Sequence, residues 1–306
     1  MIASVASTAQ STRVYKPRTV ILGEKPQGTQ WLERICTSGL FDVIAGITRE
    51  SGKRWWGEDR FIDVLKEHHV PQMSRDMLHT LEYDILLSFV YPFIIEPEHL
   101  KRAHWYAVNL HESPLPRYRG CNGCSHAILE GDTTYGTTLH TMEAALDAGE
   151  IVDQITFPID PTETAKELYV RTSEHSSELL KRNLHTLASG KLPQRSMDTN
   201  AELIHARSSL ANLKHIPDAS LEDVASIASF GRALDFLPFE PAFFLRNDAK
   251  YYVFIERSSG RNLADGALPL LRSIPAADLP DAFRLPAKRP MVVMREDRYR
   301  KDYPVF

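Results

Sequence analysis

Apolar runs alternate with amphipathic stretches along the first half of the chain. Residues 31–40 and 61–70 carry apolar side chains at helical spacing. Four other segments are rich in β-branched and aromatic residues, as buried strands are. Strands that alternate with helices predict right-handed βαβ units and an α/β, Rossmann-like domain with a parallel sheet. The predicted strands are RTVILGE (18–24), FDVIAGITRE (41–50), YDILLSFVYPF (83–93) and YAVNLH (106–111).

The pattern continues with two extended segments and one long helix. TTLHTM (137–142) and GEIVDQITFPI (149–159) read as extended. Thr164 and Glu167 have the spacing of a capping box, and Gly190 provides the end of the helix that follows.

After residue 195 the pattern changes to short strands, such as KYYVFI and RPMVVM, separated by turns that contain Pro and Gly. This change predicts a smaller, strand-rich C-terminal domain. The expected division is a flexible leader at 1–17, a catalytic domain at 18–195 and the smaller domain at 196–306.

Composition and charge limit which partners and which cellular compartment the sequence predicts. The 306 residues contain 36 Lys+Arg and 40 Asp+Glu, a net charge of −4, which argues against a nucleic-acid partner. The three cysteines are an odd number and favour a reducing compartment. The longest apolar run, ILLSFVYPFII, is too short to span a bilayer, and residues 1–18 lack the apolar core of a secretory signal. We therefore predict a cytoplasmic protein without a membrane partner.

Several common motifs are missing or incomplete. The sequence has no G-x-S-x-G nucleophile elbow and no G-x-G-x-x-G after the first strand. CNGCSH places Cys121, Cys124 and His126 at zinc-like spacing, but a structural zinc site normally needs four ligands, and Cys36 is distant. We predict a glycine-bearing loop with two free thiols here, and no metal.

Asn109 and His111 are the strongest candidates for chemistry. Residues two apart in a strand project to the same side, and ligands of open α/β sheets bind beyond the carboxyl ends of the strands. Asp147 lies between apolar neighbours, with Gly149 permitting a tight turn, and could orient the imidazole. The spacing alone does not show that Asp147 reaches His111, and a buried structural histidine is an equal alternative.

Three segments together extend this picture. NLHESPLPRYRG, GTTLHTMEAALDAGEIV and TAKELYV resemble the core of the folate-dependent formyltransferases, which act on methionyl-tRNA, glycinamide ribonucleotide or amino sugars. The resemblance covers roughly residues 80–190, and the family's catalytic Asn-x-His pair and later Asp fall on Asn109, His111 and Asp147. Pro114 departs from the usual Ser-Leu-Leu-Pro, and Ala148 from the usual Asp-Thr-Gly, which leaves the loop geometry open.

The resemblance implies N10-formyltetrahydrofolate as the formyl donor and no metal. The family's folate pocket is lined by the strand before the Asn-x-His pair and by the loop that bears the Asp. For the apolar members of this set, ordinary core packing is an equal alternative. The residues that correspond here are Ser88, Phe89, Val90, Tyr91, Phe93, Ile94, Met142, Ala145 and Leu146.

The acceptor is indicated by SFGRALDFLPFEPAFF (229–244) and PRYRGCNGCSHAILEGD, which resemble the enzymes that formylate nucleotide-linked amino sugars. The resemblance implies an N-formyltransferase, a one-carbon transferase that acts on a primary amine. Ornithine or another small amine, methionyl-tRNA, and a non-catalytic folate- or nucleotide-binding module remain as alternatives, and a homodimer stays open. For the aromatic residues a small core under the C-terminal strands is an equal alternative. The resemblance assigns to the acceptor side Pro116, Arg119, Asn122, Arg232, Phe236 and Phe239.

Overall fold

The apolar runs of the first half of the chain form the strands of one sheet. The computed structural model describes residues 15–49, 56, 60–198, 203–255 and 291–302. Six of the first seven strands join this sheet, and β5 is a short strand outside it. In chain order the strands are β1 (Arg18–Gly23), β2 (Asp42–Ile47), β3 (Tyr83–Phe89), β4 (Ala103–His111), β5 (Arg119–Gly120), β6 (Thr134–Thr141) and β7 (Ile151–Pro158).

The strand order of the sheet is β2-β1-β3-β4-β6-β7. The predicted parallel pairing is confirmed for β2, β1, β3 and β4, whereas β6 pairs antiparallel with both β4 and β7. The link between β6 and β7, residues 142–150, contains no helix and is too short for the crossover that parallel neighbours need. The sheet is therefore largely parallel with an antiparallel edge.

Helices pack against the central sheet and against the C-terminal strands. Trp31 and Leu32 pack with Leu179 in the cluster on one face, and the Trp31 indole N–H donates to Ser177 Oγ at 2.8 Å. The first helix ends at Thr37, before the predicted Leu40. The helices are α1 (Lys25–Thr37), α2 (Phe61–Glu67), α3 (Pro97–Leu100), α4 (Gly123–Leu129), α5 (Ala165–Ala188), α6 (Val224–Ala233) and α7 (Glu296–Asp302).

The predicted CNGCSH loop is wrong in its local structure. Cys124 and His126 lie on α4, which begins at Gly123. A Cβ at Gly123 would lie 2.3 Å from the Tyr135 hydroxyl oxygen, so only glycine fits where α4 starts. The predicted free thiols are confirmed, because Cys121 and Cys124 both lack a disulfide partner.

The C-terminal part contains two helices that the sequence analysis did not predict, α6 and α7. KYYVFI and the described part of RPMVVM are confirmed as strands of a three-stranded antiparallel sheet. Residues from both sides of position 195, including Phe157 and Val253, share one buried cluster. Residues 1–14 of the predicted leader lie outside the described residues. The remaining strands are β8 (Ile204–His205), β9 (Ala242–Arg246), β10 (Ala249–Ile255) and β11 (Met291–Arg295).

Within the described ranges, the structure contains no helix of sufficient length and apolarity to cross a membrane.

The capping box of α5 is confirmed and gives a first test of the fold. The Glu167 backbone N–H donates to Thr164 Oγ1, and the Thr164 backbone N–H donates to the Glu167 carboxylate at 2.9 Å. Thr164→Ala removes one of these bonds, and we expect the free energy of unfolding to fall by about 1 kcal/mol. Urea unfolding measures this change. The control, Thr186→Ala in the last turn of α5, should change it by much less, and equal effects would contradict the capping role.

Candidate active site

The sheet brings Asn109 and His111 to its carboxyl edge on the same side of β4. In the antiparallel register Asn109 lies directly opposite His140 of β6, and on the other side it pairs with Ser88 of β3. Cross-strand neighbours are close enough for their side chains to interact. Side chains from three adjacent strands, β3, β4 and β6, therefore form one polar cluster.

Asp147 reaches this group from the loop between β6 and β7. Its Oδ2 lies 3.7 Å from Nδ1 of His111 and accepts a hydrogen bond of 2.8 Å from the Gly120 backbone N–H. Nε2 of His111 lies 3.1 Å from the Tyr118 carbonyl oxygen. Because a carbonyl only accepts, Nε2 is the protonated nitrogen, and Nδ1 is left facing the carboxylate. The structure thus brings together the three residues that the sequence singled out.

The Asp147 carboxylate is held in its charged form. Burial alone would raise its pKa, but the facing His111 and His140 imidazoles, the Gly120 N–H and the Arg119 guanidinium lower the pKa overall. Its side chain is only 8% exposed. A buried negative charge beside His111 stabilises a positive charge on that imidazole.

His140 is a member of the site that the sequence analysis missed. Its side chain is buried, Nδ1 donates to the Thr141 carbonyl oxygen at 2.8 Å, and Nε2 lies 3.2 Å from Nδ2 of Asn109. Burial, followed by the neighbouring His111, lowers the pKa of His140 to about 4. A neutral His140 therefore accepts from the Asn109 amide and fixes its orientation. The antiparallel register of β4 and β6 reveals this pair, and sequence spacing does not.

Backbone strain is concentrated around the same edge. A positive φ is unusual outside glycine, most of all for a β-branched residue, and such conformations cost roughly 1–3 kcal/mol each. The loop that carries Asp147 also requires Gly149, where a Cβ would lie 1.9 Å from the Thr141 carbonyl oxygen. Strained backbone of this kind clusters at functional sites. The non-glycine residues concerned are Lys25 (φ 65°), Val90 (49°), Tyr118 (60°), Asn122 (64°) and Asp147 (48°).

The residues predicted to line the folate pocket divide into buried and exposed groups. Phe89 is fully buried and packs edge-to-face on Trp31, with ring centroids 5.5 Å apart, and Ser88 is also buried. Tyr91 and Met142 are half-buried in the cluster on one face of the sheet. Val90, at the end of β3, is half-buried against the cluster that contains Trp31. The exposed members, which present apolar surface next to the Asp147 loop and the end of β3, are Phe93, Ile94, Ala145 and Leu146.

Two of the residues assigned to the acceptor side hold the loops of the site. Arg119 is buried, and its Nε donates to the Leu146 carbonyl oxygen at 2.9 Å, next to Asp147. Nδ2 of Asn122 donates to the Arg207 carbonyl oxygen at 3.1 Å and so fixes the segment after β8. Pro116 is half-buried in the loop that follows His111.

The other three acceptor-side residues lie beside α5. The Phe236 ring packs on Tyr169, with centroids 5.5 Å apart, and on Phe239 at 5.9 Å. Phe239 is 49% exposed, whereas Phe236 packs against the buried cluster beneath the C-terminal strands. Nη1 of Arg232 lies 3.5 Å from the Glu163 carbonyl oxygen. Tyr169 thus connects this group to the first residue of α1, Lys25, whose Nζ lies 3.2 Å from the Tyr169 hydroxyl.

One cluster of possible metal ligands occurs among the described residues. Nitrogen or oxygen atoms of His126, Glu130 and His205 lie within 4.8 Å of one another. The two imidazoles are stacked with centroids 3.8 Å apart, His126 Nε2 bonds Ser209 Oγ at 2.8 Å, and Glu130 accepts from Tyr118. Stacked rings do not direct two nitrogens at one ion, and both His126 and Glu130 have hydrogen-bond partners. Neither Cys121 nor Cys124 belongs to the cluster.

We therefore expect chelators to leave both folding and activity unchanged. The measurement is the thermal melting temperature before and after dialysis against EDTA, together with the rate of the formyl transfer that the sequence resemblance implies. Stoichiometric zinc in protein prepared without added metal, together with loss of stability on its removal, would contradict this expectation.

Comparison with known proteins identifies the region that carries these residues. Residues 62–184 match the family model described as formyl transferase. A bifunctional polymyxin resistance protein ArnA from Wigglesworthia glossinidia brevipalpis is 35% identical over 117 residues, which cover 38% of this chain and 18% of the relative. A methionyl-tRNA formyltransferase from Geotalea uraniireducens is 28% identical over 194 residues, 59% of this chain and 62% of the relative.

The fold is shared with solved structures. An N-formyltransferase from Helicobacter canadensis, in complex with folinic acid and dTDP-3-aminofucose, aligns with a TM-score of 0.64 at 21% identity, over 80% of this chain and 91% of that one. The chain spans less than two thirds of the length of the two relatives given above. The matched region contains Asn109, His111 and Asp147, so the residues of this site lie within the part of the chain that is similar to the formyl transferase family.

Proposed function

We propose that this protein transfers the formyl group of N10-formyltetrahydrofolate to a primary amine, that of a nucleotide-linked amino sugar. The observation that supports this most strongly is the convergence of Asn109, His111 and Asp147 at the carboxyl edge of the sheet, within the formyl transferase region. The reaction needs neither a metal nor a covalent intermediate.

Asn109 and His111 stabilise the tetrahedral intermediate. Attack of a neutral amine on the formyl carbon gives a negatively charged oxygen, which needs hydrogen-bond donors. The Asn109 amide has a second hydrogen besides the one directed at His140, and the imidazolium form of His111 has a second ring N–H, on Nδ1, besides the Nε2–H that bonds the Tyr118 carbonyl oxygen. Loss of one such donor commonly costs about 10²–10³ in rate.

His111 and Asp147 also move a proton. One proton must leave the attacking nitrogen and reach N10 of the folate as the bond between N10 and the formyl carbon breaks. The ionised Asp147, 3.7 Å from Nδ1, stabilises the imidazolium that forms when His111 carries this proton. General acid–base catalysis of this kind contributes roughly 10²–10⁴.

The exposed apolar rim supports a folate as the donor. Phe93 and Tyr91 have ring centroids 5.6 Å apart, and Leu146 lies beside Asp147. A flat pterin covers apolar surface of this kind while its edge bonds backbone groups. The Helicobacter canadensis structure, whose fold this chain shares, contains folinic acid.

The acceptor assignment rests on the second ligand of that structure, dTDP-3-aminofucose. We place the sugar near Arg119 and Asn122, and the nucleotide towards Arg232, Phe236 and Phe239. Phe239 is exposed and offers a ring on which a base can stack.

Calorimetry tests the donor half of this function. We expect 5-formyltetrahydrofolate to bind and NAD not to bind, because no glycine fingerprint for a dinucleotide follows β1. Mass spectrometry of an amino-sugar nucleotide incubated with 10-formyltetrahydrofolate and the protein should then show one added formyl group. Tight NAD binding without folate binding would exclude the proposal.

A further inference from the structure

A second polar cluster lies immediately beyond the catalytic candidates and has no role in the chemistry above. Glu112 follows His111 at the end of β4, and its Oε1 is buried without a hydrogen-bond partner among the described residues. Its carboxyl group interacts with the Tyr169 hydroxyl of α5 and with the ammonium of Lys25 at the start of α1. A buried polar atom without a partner is costly and calls for an explanation, and a role in catalysis is one such explanation.

The groups around the Glu112 carboxyl decide its charge. Burial raises its pKa to about 7, and the positive charge of Lys25, followed by His111 and the Tyr169 hydroxyl, limits the rise. At neutral pH both protonation states of the carboxyl are therefore populated. Among the described residues, the titratable groups that interact electrostatically with it are Lys25, His111, Tyr169, Cys124 of α4 and Tyr135 of β6.

The same cluster lies next to the segments that hold the catalytic candidates. Lys25 has a left-handed backbone, with a φ of 65°, and desolvation lowers the pKa of its ammonium. It also interacts with Cys121 and Arg207, which lie on the segments next to Gly120 and His205. The Gly120 N–H is the donor to Asp147. Lys25 and Glu112 are thus positioned beside the site rather than in a separate part of the fold.

The proposed reaction has a proton that Asn109, His111 and Asp147 do not account for. An aliphatic primary amine is an ammonium ion at neutral pH, as the lysine pKa of about 10.4 illustrates. Two protons must leave its nitrogen. The second goes to N10 of the folate through His111, but the first must leave before the lone pair can attack.

We infer that Glu112 accepts the first proton from the acceptor ammonium, and that Lys25 and Tyr169 position its carboxyl group for this step. The N–H bond breaks, its electron pair stays on nitrogen, and the proton bonds to Oε1 of Glu112. The neutral amine then attacks the formyl carbon, and N10 leaves with the pair of the broken C–N bond. Glu112 returns its proton to solvent, so each turnover releases one proton. Because it requires an amine acceptor, this role rests on the proposed function.

The pH dependence of kcat/KM for an amino-sugar nucleotide, at saturating 10-formyltetrahydrofolate, tests this role. Glu112→Gln should lower kcat/KM at neutral pH by about 10²-fold and remove its dependence on a group that titrates near pH 7. Lys25→Met should instead move the acid side of the wild-type profile to higher pH, because Lys25 holds the pKa of Glu112 down. Glu178→Gln, at an exposed position of α5, is the matched control and should behave as wild type.

A second measurement does not depend on turnover. In protein with ¹³C-labelled glutamate carboxyls, the NMR signal of Glu112 is identified as the one that Glu112→Gln removes. Without substrates this signal should titrate with a midpoint near pH 7, and in Lys25→Met the midpoint should lie at higher pH. Thermal melting establishes that each variant is folded. A signal that titrates with exposed glutamates, or a wild-type pH profile in folded Glu112→Gln, would overturn the inference. If the wild type transferred formyl to no amine, the proposed function would be rejected instead. The titration does not require turnover, so it distinguishes failure of the inference from failure of the proposed function.

Discussion

Asp147→Asn is expected to lower kcat for formyl transfer by about 10²-fold or more while folate affinity stays nearly unchanged. The amide has the size and shape of the carboxylate, and its oxygen can still accept from the Gly120 N–H, so the loop between β6 and β7 keeps its position. What disappears is the negative charge 3.7 Å from Nδ1 of His111. The imidazolium is then less stable, and the loss appears in the chemical step. Steady-state kinetics measure kcat, single-turnover kinetics isolate the chemical step, and calorimetry measures folate binding.

Asp153→Asn is the control for this prediction. Asp153 lies in β7 and binds Arg182 at 2.6 Å and Nδ2 of Asn183 at 2.6 Å. We expect it to lower the free energy of unfolding by less than about 1 kcal/mol, because the Arg182 side chain is partly exposed, and to leave kcat unchanged. If folded, folate-bound Asp147→Asn keeps near-normal kcat, Asp147 is a structural turn residue.

His111→Asn is expected to cause a loss of similar size, and the double variant with Asp147→Asn should be little worse than either single one. Groups that act as a unit in one step are not additive, because removal of either member abolishes the shared function. The measurement is kcat for the two single variants and the double variant under identical conditions. If the fold-loss of kcat in the double variant equalled the product of the two single losses, His111 and Asp147 would act in different steps.

Much of the fold could be predicted because its signals are local. Residues 20–22 of β1 and 85–87 of β3 are buried apolar runs, and the Thr164–Glu167 capping box lies within four residues. Helix α4 was missed because its seven residues begin with Gly, Cys and Ser, which have modest or poor helix propensity. Its packing against α6, some hundred residues later, stabilises it instead.

The site was predictable where it depends on the period of a strand. Asn109 and His111 are two residues apart, and this alone places them on one side of β4. His140 depends on the register of β6, and the contact of Lys25 with Tyr169 joins positions 144 residues apart. Such contacts arise from tertiary packing, which sequence spacing does not encode.

The most direct test of the proposed function is the release of tetrahydrofolate from 10-formyltetrahydrofolate in the presence of different amines. The panel contains a nucleotide-linked 3-amino sugar, a nucleotide-linked 4-amino sugar, ornithine and methionyl-tRNA. We expect turnover with at least one amino-sugar nucleotide and none with ornithine or methionyl-tRNA. Turnover with ornithine or methionyl-tRNA alone, or release of tetrahydrofolate with none of the four, would contradict the account.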